Sequence, residues 1–381
     1  MKIVIIIPTY NERENTLKMI DSLSGIINQT GKHHTEVLYV DANSPDGTAE
    51  IIKNKQKEYS WLKLLVEEKK EGLGMAYAKG MKFAMEKLNA DYLVEFDADF
   101  QHRPEDIPKL IAQIDNGGDY IIGSRYIKGG SIPKEWELDR KLLSKIGNLV
   151  ARILLILPHI HDVTGGFKLS RVKGFMDSFD FNTLLSRSFA YKIHLLFYMV
   201  QKGARVKEVP VKFQLRASGD SKIIKNELQE TLKVIFLLQS RNPRTIRLFR
   251  FATVGFFGYL INALFLKIFT ELQLSGLIVW GGSTEMAIVS NFTLNNLWTF
   301  KADQIKGIKD LVFKFLQFNL TSIGGLLIQT TTGLISDSLL KSNSYRQIVL
   351  PITIVLLILP YNYLIYTRVI WKTKGKGSNQ K

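Results

Sequence analysis

Tyr92-Leu-Val-Glu-Phe-Asp97-Ala-Asp99-Phe-Gln101-His102 is the stretch from which the rest of the chain can be read. An apolar, strand-forming run delivers two carboxylates and an amide to one place at i, i+2 and i+4. In extended or just-turning backbone alternate side chains point the same way, so Asp97, Asp99 and Gln101 are expected to converge. Hard oxygen donors of that kind suit Mg²⁺ or Mn²⁺, and a loosely held divalent ion commonly shares its coordination with a phosphorylated substrate. An isolated Asp-x-Asp after a strand is also compatible with a solvated acidic turn, so the choice rests on the neighbouring segments.

Those neighbours repeat one pattern. Strand-like runs fall at Ile3–Pro8, Val37–Asp41, Leu62–Val66, Tyr92–Phe96 and Tyr120–Gly123, with helical patterns at Glu14–Ile27, Thr48–Tyr59, Met75–Leu88 and Pro104–Asn116 between them. Strands alternating with helices predict βαβ units and a mostly parallel sheet, that is, an α/β fold. Ligands of such sheets sit beyond the carboxyl ends of the strands. The unusual residues collect there: Thr9-Tyr10-Asn11-Glu12, Asp41-Ala-Asn-Ser-Pro-Asp46-Gly, Asp97-Ala-Asp99 and Ser124-Arg125. Four polar strand ends along one edge predict an active-site cleft.

The 381 residues carry a formal net charge of +16, which favours anionic partners such as phosphorylated substrates, an anionic membrane surface or nucleic acid. The absence of cysteine excludes disulfides, thiol nucleophiles and Cys-based zinc sites. Met1–Pro8 is too short an apolar run for a signal peptide and reads as a first buried strand, so the N-terminal half is expected in the cytoplasm.

Composition changes near residue 245. Four apolar segments follow, approximately Phe251–Thr270, Leu277–Leu297, Leu311–Ile335 and Ile348–Ile370, each about the 20 residues that span hydrocarbon. Glu285, Gln317 and Asn319 interrupt them, as helix-packed bundles tolerate. The loop Glu271–Gly276 lacks Lys and Arg, whereas Lys301–Asp310 and the tail carry several Lys. The positive-inside rule then places both termini in the cytoplasm. A nucleic-acid binder would account for the charge but leave these spans unexplained. Between the halves, Asn226–Arg241 has an apolar stripe through Leu228, Leu232, Ile235 and Phe236, followed by Arg241, Arg244, Arg247 and Arg250. It fits an amphipathic helix on the cytoplasmic leaflet, or a linker helix packed on the first domain. The expected organisation is a catalytic domain over 1–225, an interface segment over 226–245 and a membrane domain over 246–381.

The motifs Ile7-Pro-Thr-Tyr-Asn-Glu12, Val40-Asp41…Ser44-Pro-Asp-Gly-Thr48, Gly72-Leu-Gly-Met-Ala-Tyr77, Phe96-Asp-Ala-Asp-Phe-Gln-His102, Gly123-Ser-Arg-Tyr126, Asp162-Val-Thr-Gly-Gly-Phe167 and Arg216-Ala-Ser-Gly-Asp-Ser-Lys222 follow one another in order. In that series the chain resembles family-2 glycosyltransferases of the GT-A fold, and more narrowly the dolichol-phosphate mannose synthases, over residues 1 to about 225. Ser290-Asn-Phe-Thr-Leu-Asn295-Asn-Leu-Trp-Thr-Phe300 resembles a small four-helix membrane family linked to polyprenyl-phosphate sugars.

The resemblance implies a nucleotide-sugar site made by Pro8, Tyr10, Glu12, Asp41, Asp97, Ala98, Asp99, Gln101, Arg125, Arg216 and Lys222. It implies a Mg²⁺ or Mn²⁺ ion on Asp97, Asp99 and Gln101, and an acceptor-phosphate site of Arg125, Arg140 and Ser144, with Asp99 and Arg125 as catalytic residues. Residues 140 and 144 are i, i+4 on a helix starting near Asp139, so they share a face. Relatives commonly follow Asp41 with a second acidic residue where this chain has Ala42, and carry Gln and Glu within Tyr191-Lys-Ile-His194; His194 reads as structural. Gly72-Leu-Gly74 is expected to bring the backbone close to the nucleotide and to start a helix. The implied activity is inverting transfer of mannose from GDP-mannose to a polyprenyl (dolichyl) phosphate. UDP-glucose-dependent transfer to the same lipid, or a lipid-sugar transporter with a nucleotide-sensing domain, stay open as alternatives.

Overall fold

The computed structural model describes residues 1–216, 227–275, 278, 282–340 and 352–372, and the chain divides into two compact units, Met1–Ser240 and Arg241–Lys381.

The first unit is built on a seven-stranded sheet. Its strands are β1 (Lys2–Thr9), β2 (His34–Asp41), β3 (Leu62–Val66), β4 (Tyr92–Glu95), β5 (Tyr120–Ser124), β6 (Lys168–Arg171) and β7 (Val206–Pro210), in the order β3-β2-β1-β4-β6-β5-β7. All neighbours pair in parallel except β6, which runs antiparallel to both β4 and β5. The five strands and four helices expected up to residue 124 are present. Their helices are α1 (Arg13–Ile27), α2 (Thr48–Lys55), α3 (Leu73–Glu86) and α4 (Ile107–Asp115), the last preceded by a 3₁₀ turn at Pro104–Asp106.

β1 shows why the sheet is covered on both sides. Val4 and Ile6 enter one core with Leu38, Val40, Leu93 and Met81, while Ile3, Ile5 and Ile7 enter the other with Met19, Ile20, Leu110 and Ile114. A strand apolar on both faces belongs in the middle of a parallel α/β sheet. In α4, Ile107, Leu110, Ile111 and Ile114 recur at helical spacing and are buried.

Three helices complete the unit: α5 (Leu138–Leu155), α6 (Tyr191–Gln201) and α7 (Glu227–Arg241). Ala151 and Leu155 of α5 share a core with Val234, Ile235 and Leu238 of α7, and Gln239 donates to the Leu154 carbonyl at 2.6 Å. The outer face of α5 is apolar and uncovered, with Leu138, Leu142, Leu143, Ile146, Leu149 and Ile153 exposed. Leu228, Leu232 and Phe236 of α7 are exposed too. The stripe expected in α7 is therefore divided: Ile235 packs inward while the other three face out.

The second unit is helical. Its first helix, α8 (Pro243–Glu271), contains the expected span Phe251–Thr270 and is, among the described residues, the helix long and apolar enough to cross a bilayer. α10 (Ile308–Leu340) contains the third expected segment. The second and fourth segments begin among residues outside the described ones. Their described parts are α9 (Ser283–Leu294) with a π-helical turn at Asn295–Thr299, and α11 (Leu359–Ile365) flanked by π-helical turns. α8 and α9 approach closely, since a Cβ on Gly258 would collide with the Asn291 side-chain amide. Asn296 ties this unit together, accepting from Ile305 N–H at 2.8 Å and Trp371 Nε1–H at 3.0 Å. Trp371 stacks on Phe300 with centroids 4.3 Å apart. Glu285 accepts from Asn319 Nδ2 at 3.1 Å, the partner its place in an apolar segment calls for.

Candidate active site

A cavity of about 800 Å³ opens at the carboxyl ends of the strands. The sheet order lays out its wall. Glu67 and Lys70 follow β3, Ala42 follows β2, Pro8, Tyr10 and Glu12 close β1, Asp97, Asp99 and Gln101 follow β4, and Arg125 follows β5; Arg140, Leu143 and Ser144 come from α5.

Asp97, Ala98, Asp99 and Gln101 all line this cavity, but not by strand alternation. β4 stops at Glu95, and Phe100 lies at φ 61°, a left-handed conformation rare for a bulky residue. The two carboxylates consequently have different surroundings. Asp97 Oδ1 accepts from the Tyr77 hydroxyl at 2.7 Å, and its Oδ2 lies 3.7 Å from Lys192 Nζ. Burial alone would raise its pKa, but Lys192 and the Tyr77 hydroxyl hold it below the ordinary Asp range. Asp99 Oδ1 accepts from Gln101 N–H at 3.1 Å, and its Oδ2 lies 3.9 Å from Arg216 Nε. Burial, and then the negative charge of Asp97, push Asp99 up to about 6. Two crowded carboxylates beside a carboxamide form a site that a divalent cation would relieve of like-charge repulsion, so the residues fit Mg²⁺ or Mn²⁺. Among the described residues no group of three His, Cys, Asp or Glu could hold a metal, so an ion here would need ligands from substrate or water.

Around this centre Arg216 donates to Glu12 Oε1 at 2.9 Å, while Glu12 Oε2 accepts from Asn15 at 2.7 Å. Pro8 and Tyr10 line the cavity, with Lys70 Nζ 3.9 Å above the Tyr10 ring. Among the described residues expected at the donor site, Asp41 is the exception, since it does not line the cavity. It is fully buried, accepting from Thr9 Oγ1 at 2.9 Å and from Ser44 N–H and Oγ at 2.8 and 2.7 Å. The strand end turns its carboxylate inward to brace the 41–44 turn. Lys222 lies outside the described residues.

Arg125 also departs from the simple picture. Its Nε and Nη2 fork onto Asp162 at 2.8 Å each, and Nη2 also donates to Thr164 Oγ1 at 2.9 Å. Asp162 offsets most of its charge, and Nη1 is the nitrogen left without a partner among the described residues. Arg140 lies over the Trp136 ring at 4.2 Å rather than pairing with an acidic neighbour. The Ser144 and Tyr126 hydroxyls share a hydrogen bond of 2.6 Å. Gly72 and Gly74 make room for protein rather than only for ligand. A Cβ on Gly72 would lie 2.6 Å from the Arg187 carbonyl, and one on Gly74 2.9 Å from that of Ser186. His194 accepts from Leu185 N–H at 3.4 Å and packs on Phe179, away from the cavity wall.

Residues 4–179 match Glycosyl transferase family 2, and residues 250–371 match the GtrA/DPMS transmembrane domain. The dolichol-phosphate mannosyltransferase of Pyrococcus furiosus is 36% identical over 331 residues, covering 86% of this chain and 88% of that protein. The chain belongs to glycosyltransferase family 2. This family-2 glycosyltransferase is thus an enzyme with a membrane domain. It is also 34% identical to the undecaprenyl-phosphate mannosyltransferase of Micrococcus luteus, over 58% of this chain and 88% of that protein. The polyprenol monophosphomannose synthase of Mycolicibacterium smegmatis is 33% identical, over 60% of this chain and 83% of that protein.

Several side chains that contact the cavity residues of the glycosyltransferase escape a sequence reading because their partners are remote. Tyr77 and Lys192 reach Asp97 from 20 and 95 residues away. Asp162 reaches Arg125 from 37 residues away. The one signal available was that Lys192 and Asp162 stand inside motifs already singled out by type.

Proposed function

We propose that this protein transfers mannose from GDP-mannose to the phosphate of a polyprenyl (dolichyl) phosphate with inversion at the sugar. The observation that carries the reading is one cavity with a guanidinium at each of two ends, where phosphate could be held. Arg216 stands beside Asp99 at one, and Arg140 with Ser144 on α5 at the other. The outer face of that same helix is a row of exposed Leu and Ile side chains, the surface a lipid acceptor would approach along. The relatives described above are named for dolichol phosphate, undecaprenyl phosphate and polyprenol monophosphomannose, which supports the same class of lipid acceptor here.

The protein's part is positioning and electrostatics. A phosphate monoester is already ionised at neutral pH, so its oxygen attacks the sugar's C1 without a strong general base. Arg140, held over the Trp136 ring, offers its guanidinium to that phosphate. Arg125 contributes Nη1 while Asp162 fixes its orientation. At the donor end Arg216 and Lys222 hold the diphosphate. Asp97, Asp99 and Gln101 would hold Mg²⁺ or Mn²⁺, with Asp97 braced by the Tyr77 hydroxyl. Such an ion offsets charge on the departing nucleoside diphosphate. Attack opposite the leaving group inverts the anomeric centre. The catalytic unit and both termini face the cytoplasm, as the loop lysines favour.

The test uses purified full-length protein, a polyprenyl phosphate and Mg²⁺ or Mn²⁺, with labelled GDP-mannose and UDP-glucose offered in parallel. Mannosyl-phospholipid formed from GDP-mannose is the expected product. Transfer from UDP-glucose alone overturns the donor assignment, and transfer from neither overturns the enzymatic reading. Full turnover by Asp99→Ala would overturn the metal site.

A further inference from the structure

One buried carboxylate in the cavity wall is not used by any of the foregoing chemistry. Glu67 follows directly on β3, and its N–H donates to the Asp41 carbonyl at 2.8 Å, which sets it beside Ala42. The side chain is buried, yet it lines the cavity. Oε1 pairs with Lys79 Nζ at 2.8 Å, while Oε2 accepts no hydrogen bond among the described residues. A buried carboxylate oxygen without a donor is unfavourable unless a ligand supplies one.

The sheet order says which part of a ligand that is. From β4, where the diphosphate is held, β2 and β3 lie two and three strands away, about 10 to 14 Å at ordinary strand spacing. A nucleoside diphosphate laid along this edge places its base there. Asp41 is fully buried behind its three hydrogen bonds from Thr9 and Ser44 and does not line the cavity, and the Ala42 side chain has no polar atom to offer. Glu71, the other carboxylate at this end, is half-exposed and paired with Lys79 at 3.1 Å. Glu67 is thus the buried carboxylate of the cavity wall at this end of the sheet.

We propose that Glu67 reads the donor's base and selects guanine by accepting from its N1–H and 2-amino groups. This rests on the GDP-sugar reading above and gives it a residue. Guanine presents two parallel N–H donors, the pair a carboxylate takes as a fork. Uracil presents one N–H flanked by two carbonyl oxygens, which a carboxylate repels, and adenine presents an unprotonated N1. Lys79 supplies the countercharge, so the carboxylate keeps a partner when the site is empty.

Inosine diphosphate, which is GDP without the 2-amino group, isolates this contact. Binding of GDP, IDP and UDP to the full chain in detergent or nanodiscs, with Mn²⁺ present, is the measurement. The wild-type protein is expected to bind GDP about tenfold or more tighter than IDP, the effect of one charge-assisted hydrogen bond. In Glu67→Gln that ratio should fall towards one. Lys79→Met removes the ion pair but leaves the carboxylate, and should keep the GDP-to-IDP ratio. GDP preferred over UDP with no difference between GDP and IDP overturns the role of Glu67 alone. An unchanged ratio in Glu67→Gln, with a lower melting temperature matched by Lys79→Met, makes it half of a structural ion pair. UDP bound more tightly than GDP by the wild-type protein overturns the GDP-sugar reading itself. The wild-type GDP-to-IDP comparison needs no variant to fold.

Discussion

Arg125 is locked onto Asp162 by two parallel 2.8 Å hydrogen bonds, and the Arg125 backbone N–H adds a third at 2.9 Å to the same carboxylate. Both side chains are at least nine-tenths buried, so neither charge has water to fall back on. Asp162→Ala leaves a buried guanidinium unpaired and is expected to destabilise the protein by about 3–5 kcal/mol. Thermal unfolding of the detergent-solubilised protein measures this. A midpoint equal to wild type would show that the pair is not structural.

Tyr77 braces Asp97 through one hydrogen bond of 2.7 Å. Tyr77→Phe keeps the ring and its packing but removes the donor, and bonds to charged acceptors are worth about 1.5–3 kcal/mol. Mn²⁺ binding, followed by paramagnetic resonance, should weaken by roughly tenfold or more, the effect of losing the partner that orients a metal-holding carboxylate, and the melting temperature should fall by a few degrees with the lost bond. Equal metal affinity in the two proteins would remove Tyr77 from the site.

Asp99 must be ionised to bind a cation, and burial followed by the charge of Asp97 pushes it up to about 6. Above that pH the carboxylate is free for metal, and below it protons compete. Mn²⁺ affinity should therefore hold steady from pH 8 to about 7 and then fall, approaching tenfold per unit below about pH 6. Affinity that rises on acidification is the contrary outcome.

Gly74 admits no side chain. A Cβ there would stand 2.9 Å from the Ser186 carbonyl and 3.0 Å from that of Ser188, both of them backbone atoms. Gly74→Ala should displace the start of α3 and destabilise by about 1–3 kcal/mol, as overpacking does. Gly25→Ala is the control, because a Cβ at Gly25 meets nothing within 4 Å.

The exposed row on α5 is proposed to meet lipid. Ile146, Leu149 and Ile153 changed together to Gln should lower transfer to a long-chain polyprenyl phosphate in liposomes, while transfer to a short, soluble analogue persists. Equal loss with both acceptors would assign the row to folding instead.

The parallel half of the sheet was legible because its signals are local. Ile3 to Pro8 and Tyr92 to Phe96 are short apolar runs with turn residues behind them, and chemistry collects at their ends. β6 and β7 were not. Lys168-Leu-Ser-Arg171 and Val206-Lys-Glu-Val-Pro210 are too polar to read as strands of a buried sheet. Lys168 is nevertheless fully buried, its ammonium donating to the Lys192 carbonyl at 3.1 Å, a partner 24 residues away. The site divides along the same line. Asp97, Asp99, Gln101, Arg140 and Ser144 reach the cavity as their spacing and motifs implied. The inward turn of Asp41 and the pairing of Arg125 depend on residues that only folding brings near. Alternation also predicted the convergence of Asp97, Asp99 and Gln101 for an incomplete reason, since the left-handed Phe100 breaks the extended backbone between them.

β6 acts as a spacer. Inserted antiparallel between β4 and β5, it holds their carboxyl ends two strand separations apart, about 10 Å. Without that insertion β4 and β5 would be direct neighbours, one strand separation of about 5 Å apart. Lys168–Arg171 thus keeps the carboxylates that follow β4 and the guanidinium that follows β5 on separate stretches of the cavity wall, and leaves Arg125 to the carboxylate of Asp162.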